Sequence, residues 1–299
     1  MSNKRKNFSQ SDFIQALSGG ELWAMSPNML ENLKSWATSE NFNPQAIVTE
    51  AGERFGTGMS RTSIKDGIGI MQVRGPLFAH ENFMTWLFGF DTYESLGKDF
   101  DQLMNDSKAK GIIGNFHSPG GQVAGASDLA TMVFNARGLK PNGIVARAGG
   151  DMSSASYLIG SAFEQIHIAP MGTVGSIGTL AQFQREDKNL ITIVSDQSPQ
   201  KRPDLETPEG QGEIKAVLND MSAVFIGDVA RNRNTTTETV LSDFGKGGIK
   251  VGEKAVGSGM ADKVTTFETT FKTITQNVNE ETEPMTTQNP ATAVATTQP

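Results

Sequence analysis

Between residues 111 and 168 short apolar runs alternate with helical patterns, and that alternation narrows the chain to one class of fold. Gly111-Ile112-Ile113-Gly114-Asn115-Phe116 reads as a buried strand, the stretch from Val123 to Arg137 as an apolar-periodic helix, and Gly143-Ile144-Val145-Ala146-Arg147 as a second strand. A helix over 152–163 and the strand Gln165–Ile168 complete the series. Strands separated by helices of roughly 10–15 residues build βαβ units around a largely parallel sheet, which is an α/β fold. Upstream, Ile68, Ile70, Gln72 and Val73 form a strand ending at Gly75-Pro76, and Thr92 caps a helix with Tyr93, Leu96, Phe100, Leu103 and Met104 on one face. Downstream come a strand over 190–194 and a long helix from Pro208 to Arg231, whose buried stripe is Ile214, Val217, Leu218, Met221, Val224 and Phe225. A helix-turn-strand within 251–264 closes the series.

Around this core the chain divides in three. Residues 1–62 read as an N-terminal helical extension and connection: Ser9 or Ser11 caps a helix through Leu17, Ser26-Pro27 opens another carrying Met29, Leu30, Leu33 and Trp36, and residues 40–62 are polar and glycine-containing. Residues 63–270 form the main domain. Residues 271–299, rich in Thr, Gln and Asn, read as a disordered polar tail, a linker or a stub.

Composition removes several classes of function. With no cysteine the chain holds neither disulfide nor thiolate metal site. A net charge of -7 argues against a nucleic-acid surface. No apolar run approaches the roughly 18–20 residues that span a bilayer, and Met1-Ser2-Asn3-Lys4-Arg5-Lys6 opens no signal peptide, so the expectation is a soluble intracellular protein with no membrane partner. Acidic residues do not cluster with histidines at ligand spacing, and no phosphate loop or dinucleotide fingerprint is present. No metal and no cofactor is expected.

Three glycine-punctuated loops carry the chemistry. They are His117-Ser118-Pro119-Gly120-Gly121, the run from Gly149-Gly150-Asp151 through Met152-Ser153-Ser154-Ala155-Ser156-Tyr157, and Met171-Gly172-Thr173-Val174-Gly175-Ser176-Ile177-Gly178. A serine at the first turn of a helix is an ordinary N-cap. It is equally a position where unpartnered backbone N–H groups surround a hydroxyl that can act as a nucleophile. The residues leave Ser153, Ser154 and Ser156 open for that role. A nucleophilic serine needs a base. His167 lies in an apolar strand and reads as packed, His80 as surface, and nothing in the sequence aims His117 at a nucleophile.

Ser-Pro-Gly-Gly at 118–121, Met-Ser-Ser-Ala-Ser-Tyr-Leu-Ile-Gly-Ser-Ala at 152–162 and Pro-Met-Gly-Thr-Val-Gly-Ser-Ile-Gly at 170–178, in this order, resemble the signal peptide peptidase A (protease IV) family, and within it the phage capsid-assembly or prohead proteases. The resemblance runs over residues 65–265 and implies a ClpP/crotonase-like fold and a serine endopeptidase with a Ser-Lys dyad. It selects Ser154, three residues before Tyr157, as nucleophile, and Lys201, in the loop after the strand 190–194, as base, with Lys188 as the fallback. It assigns the oxyanion to backbone N–H groups of Gly120 or Gly121 and of Ala155, and makes Ser176 either a lysine-orienting hydroxyl or a simple turn residue. A free lysine has a pKa of about 10.4, so burial would have to supply roughly 4–5 kcal/mol to keep such a base neutral at pH 7.

By the same resemblance the substrates are phage scaffold and major capsid proteins and the chain itself, bound by strand addition beside Gly120-Gly121. The assembly is a homo-oligomeric ring, and the setting is the prohead inside the host cytoplasm. A catalytically idle assembly factor and a crotonase-like acyl-CoA enzyme are the competing readings.

Overall fold

A computed structural model describes residues 23–25, 35, 38–39, 61–82, 85, 89–183 and 194–280. Strand alternation decides its architecture. In β4 (Gly111–Ser118) Ile112 and Phe116 are fully buried on one face, while Ile113 packs on the other with Ile68, Val145 and Ile274. A strand apolar on both faces has to sit mid-sheet with cover on each side. β4 accordingly pairs in parallel with β3 (Ile68–Arg74) on one side and β6 (Ile144–Ser153) on the other.

The sheet extends outward from that centre. β2 (Thr62–Lys65) is antiparallel on β3, β7 (Gln165–Ile168) is parallel on β6, and β10 (Lys263–Val264) is parallel on β7. β8 (Thr173–Gly175) adds to the far end of β6 and carries β9 (Ile249–Val251), giving eight strands in all. The α/β class with βαβ units around a largely parallel sheet is the one observed. A separate two-stranded sheet joins β5 (Gly120–Gln122) to β1 (Trp23–Met25).

The first face is covered by α1 (Tyr93–Asn105), α2 (Ala126–Asn135) and α3 (Ala155–Ser161). α1 starts where the sequence places it: Thr92 Oγ1 accepts from Ser95 N–H and Ser95 Oγ from Thr92 N–H, a reciprocal cap. Phe163 meets Phe100 and Phe116 edge-on, and Gly114 is glycine because a Cβ would lie 2.7 Å from the Phe163 ring. Arg137 gathers the carbonyls of Ser161, Ala162, Phe163 and Asn232, tying the end of α3 to the end of α4 (Pro208–Asn232). Beyond α4, α5 (Thr237–Asp243) and α6 (Gly252–Gly257) flank β9, so the helix-turn-strand expected within 251–264 is present as α6 and β10.

Four expectations need correction. β6 does not stop at Arg147 but runs through Gly149-Gly150 to Ser153; there His117 and Arg147 lie so close that a Cβ on Gly149 would come within 2.8 Å of the imidazole and 2.1 Å of the guanidinium. The glycines are strand residues under side chains, not a turn. α4 has the expected length, yet Val217 and Val224 are 46% and 58% exposed, and Phe225, Val229 and Ala230 form its buried contact. The boundary at 270 falls inside α7 (Phe267–Glu280), whose Ile274 is buried against the second face of the sheet. Within the expected helical extension, Trp23–Met25 is a strand. The other helices expected before residue 60, the strand 190–194 and Lys188 lie outside the described residues, apart from Ser35 and Val194.

Candidate active site

Ser154 follows β6 and immediately precedes α3. Its backbone has φ 57° and ψ -125°, a combination that side-chain-bearing residues avoid and that costs roughly 1–3 kcal/mol. Two bonds hold it there: Ser154 N–H donates to Gly175 O at 2.7 Å, and Ser154 O accepts from Leu158 N–H at 2.9 Å. A serine on such a strand-to-helix elbow presents its hydroxyl at the helix N-terminus, beside N–H groups that the helix leaves unpaired.

Its neighbours are occupied. Ser156 Oγ donates within bonding distance of both Ser118 O and Ser153 O, each 2.8 Å away, and Ser153 Oγ bonds Asp151, whose carboxylate also takes the Thr173 hydroxyl. No side-chain hydrogen bond within the described residues engages Ser154 Oγ. Of the three serines left open by the sequence, Ser154 alone combines the elbow with a hydroxyl that no described residue engages.

The two glycines of the Ser-Pro-Gly-Gly loop are glycine for different reasons. Gly120 has φ 99°, and a Cβ on Gly121 would lie 1.9 Å from Leu77 O. Gly120 N–H donates to Ser118 Oγ at 3.2 Å. Leu77 N–H donates to Gly120 O, and Gln122 N–H to Leu77 O. Alternation along β5 therefore turns the N–H and C=O of Gly121 to the opposite edge. That is the edge on which β1 pairs, while α3, which opens with Ala155, packs directly on β5. Gly120 N–H is committed to Ser118, Gly121 N–H faces β1, and Ala155 N–H belongs to the first turn of α3.

Beside them lies an apolar recess of about 140 Å³ lined by Val123, Ala126, Ala155, Leu158, Met221 and Phe225 among others. It joins α2, α3 and α4, and the sequence offers no local signal for it, since its wall comes from residues a hundred positions apart.

The remaining candidates are not gathered at Ser154. Lys201 ends a single 3-10 turn, Pro199–Lys201, and is exposed in the single chain, with no hydrogen bond or ion pair to Ser154. Ser176, φ 55°, is half-buried one residue beyond the Gly175 carbonyl that holds Ser154, and its N–H donates to Gly248 O. His117 points to the sheet face opposite Phe116 and Ser118, against Gly149 and Gly150; burial, then the charges of Arg147 and Arg74, lower its pKa. His167 is buried, bonded to Thr270 and Gln165, with its pKa lowered chiefly by burial. His80 is exposed. None of the three forms a triad with Ser154. Among the described residues no cluster of His, Asp and Glu is built to hold a metal, and no helix is long and apolar enough to cross a membrane.

The strained serine thus stands at the start of α3, which packs on β5, and comparison with known proteins bears on what such an arrangement is for. No family model matches the chain. The chain is 32% identical over 117 residues to a head-tail preconnector protein of Enterobacteria phage P21, and 23% identical over 229 residues to the capsid assembly protease C of Escherichia phage lambda. It is 28% identical over 188 residues to a protein of Methanocaldococcus jannaschii provisionally named a protease. These matches take in 39%, 73% and 60% of this chain but 23%, 51% and 60% of the relatives, so the chain spans less than two thirds of the length of each. Among solved structures, a mutant of the membrane-bound stomatin-specific protease 1510-N aligns with a TM-score of 0.43 and 14% identity over 68% of this chain and 82% of its own. The resemblance to signal peptide peptidase A-type proteases, and to their phage capsid-assembly branch, holds in this comparison.

Proposed function

We propose that this chain is a serine endopeptidase acting in phage head assembly, with Ser154 as nucleophile. The observation that carries the reading is the Ser154 backbone: a conformation this costly at a buried serine, at a strand-to-helix elbow beside the Gly120-Gly121 strand, suits a nucleophile and serves no purpose in a plain N-cap. The Ser154 hydroxyl attacks a peptide carbonyl whose developing charge is held by the N–H groups of Gly121 and Ala155. The proton passes to a base and on to the leaving amine, and water then releases the acyl group. An extended substrate pairs with β5 along the edge that β1 takes in this chain, with an apolar side chain in the recess beside Ala155.

Lys201 is the proposed base. Its exposure in one chain means that neighbouring protomers would supply the burial, in keeping with a ring in which the site is completed on assembly. Scaffold and capsid proteins are the proposed substrates, by analogy with the relatives named for head assembly. The exposure of Lys201, with no bond to Ser154 among the described residues, favours, as a second reading, an assembly factor that has kept the fold without turnover.

Intact mass followed over time, for the wild type and for Ser154→Ala and Lys201→Ala with cognate capsid and scaffold proteins, separates the two. Discrete fragments lost in both variants support the dyad. Fragments that persist in Lys201→Ala remove the lysine from the mechanism, and no fragments with any partner leaves the assembly factor.

A further inference from the structure

The edge on which a substrate strand would add is already in use. β1 pairs antiparallel with β5 in the register Trp23 with Gln122, Ala24 with Gly121 and Met25 with Gly120. Because Gly120 O and Gln122 N–H are spent on Leu77, the residue of β5 that faces β1 with both backbone groups is Gly121. Its opposite is Ala24, so the two form the closely bonded pair of the ladder: Gly121 N–H donates to Ala24 O, and Ala24 N–H to Gly121 O. The backbone donor that would hold a scissile carbonyl thus carries the carbonyl of residue 24 of the same chain.

We propose that the peptide bond between Ala24 and Met25 is a substrate of this site, so that the chain's N-terminal segment is bound and cut as the first extended strand to fill it. The inference rests on the reading of Ser154 as nucleophile. In the step, Ser154 Oγ adds to the Ala24 carbonyl carbon while its proton leaves to the base. The bond from that carbon to the Met25 nitrogen breaks, and the nitrogen takes the proton. Water hydrolyses the ester, freeing residues 1–24 with a carboxylate at Ala24 and leaving Met25 as the new N-terminus.

Occupancy and opening are coupled in this arrangement. A strand tethered to the domain needs no encounter, so it outcompetes any free peptide of equal affinity. While it stays, β5 has no free edge for another protein. Its removal both shortens the chain and exposes the edge.

The test follows the full-length protein by intact mass and N-terminal sequencing, with Ser154→Ala and Ala24→Pro variants, and casein as an independent substrate. Proline at 24 deletes the N–H that Gly121 O accepts. The expected result is loss of residues 1–24 in the wild type, none in Ser154→Ala, and at least a tenfold slower loss in Ala24→Pro, with casein cleavage in Ala24→Pro faster than before processing in the wild type. Ser154-dependent casein cleavage with an intact N-terminus, or a self-cut at another bond, overturns the inference and leaves the protease reading standing. Absence of any Ser154-dependent cleavage overturns both.

Discussion

Ser154 holds a backbone that glycine adopts freely and serine does not. Ser154→Ala removes the hydroxyl but keeps the Cβ and therefore the strain, whereas Ser154→Gly releases it. The glycine variant is expected to be more stable than the alanine variant by about 1 kcal/mol, the relief of strain exceeding the extra freedom glycine gains on unfolding. Urea unfolding of both variants reads this directly. Equal stabilities would mean that the elbow is not strained in solution and would take away the main support for the nucleophile. The neighbouring hydroxyls of Ser153 and Ser156 are committed to hydrogen bonds, which is why residue type alone leaves three serines open and hydrogen bonding separates them.

Among the elements, those whose pattern is local are legible from sequence: β3, β4, β7 and α1 follow from alternation, from helical spacing and from the Thr92 cap. Those decided by distant partners are not. β6 looks too short because Gly149-Gly150 resembles a turn until His117 and Arg147 are seen lying across it. β1 has three residues and no periodicity, and only its pairing with β5 makes it a strand. The α4 stripe is apolar by spacing, but the domain reaches only its C-terminal half. Phe225→Ala is therefore expected to cost about 3–4 kcal/mol, and Val217→Ala less than about 0.5, in thermal or urea unfolding of the single chain. A large loss at Val217 under the same conditions would place that stripe inside a folded-state contact, as in a stable oligomer.

The second face of the sheet is closed by α7, and this cover links the whole fold to pH. Composition marks the chain after 270 as tail, yet Phe267, Phe271 and Ile274 recur at one-face helical spacing and pack on Ile68, Ile113 and Val145. Beneath the helix His167 is buried, its Nδ1 3.0 Å from Thr270 Oγ1. Burial, then the charge of Lys263, lowers its pKa in the folded chain, and Asp262, the nearby carboxylate, offsets this only in part. The unfolded chain takes up a proton near pH 6.5 that the folded chain refuses, so stability contributed by neutral His167 is present above that pH and is lost as pH falls toward the lowered folded value. The slope from this one group is at most about 1.4 kcal/mol per pH unit. His117, shifted in the same direction but exposed, adds a smaller, solvent-screened share. Unfolding free energy measured from pH 7.5 to 5.5 is expected to decline, and to decline less steeply in His167→Gln, which cannot gain the proton. A decline of unchanged slope in that variant would show that α7 does not keep His167 neutral, and the helix would then have to be loose on the sheet at neutral pH.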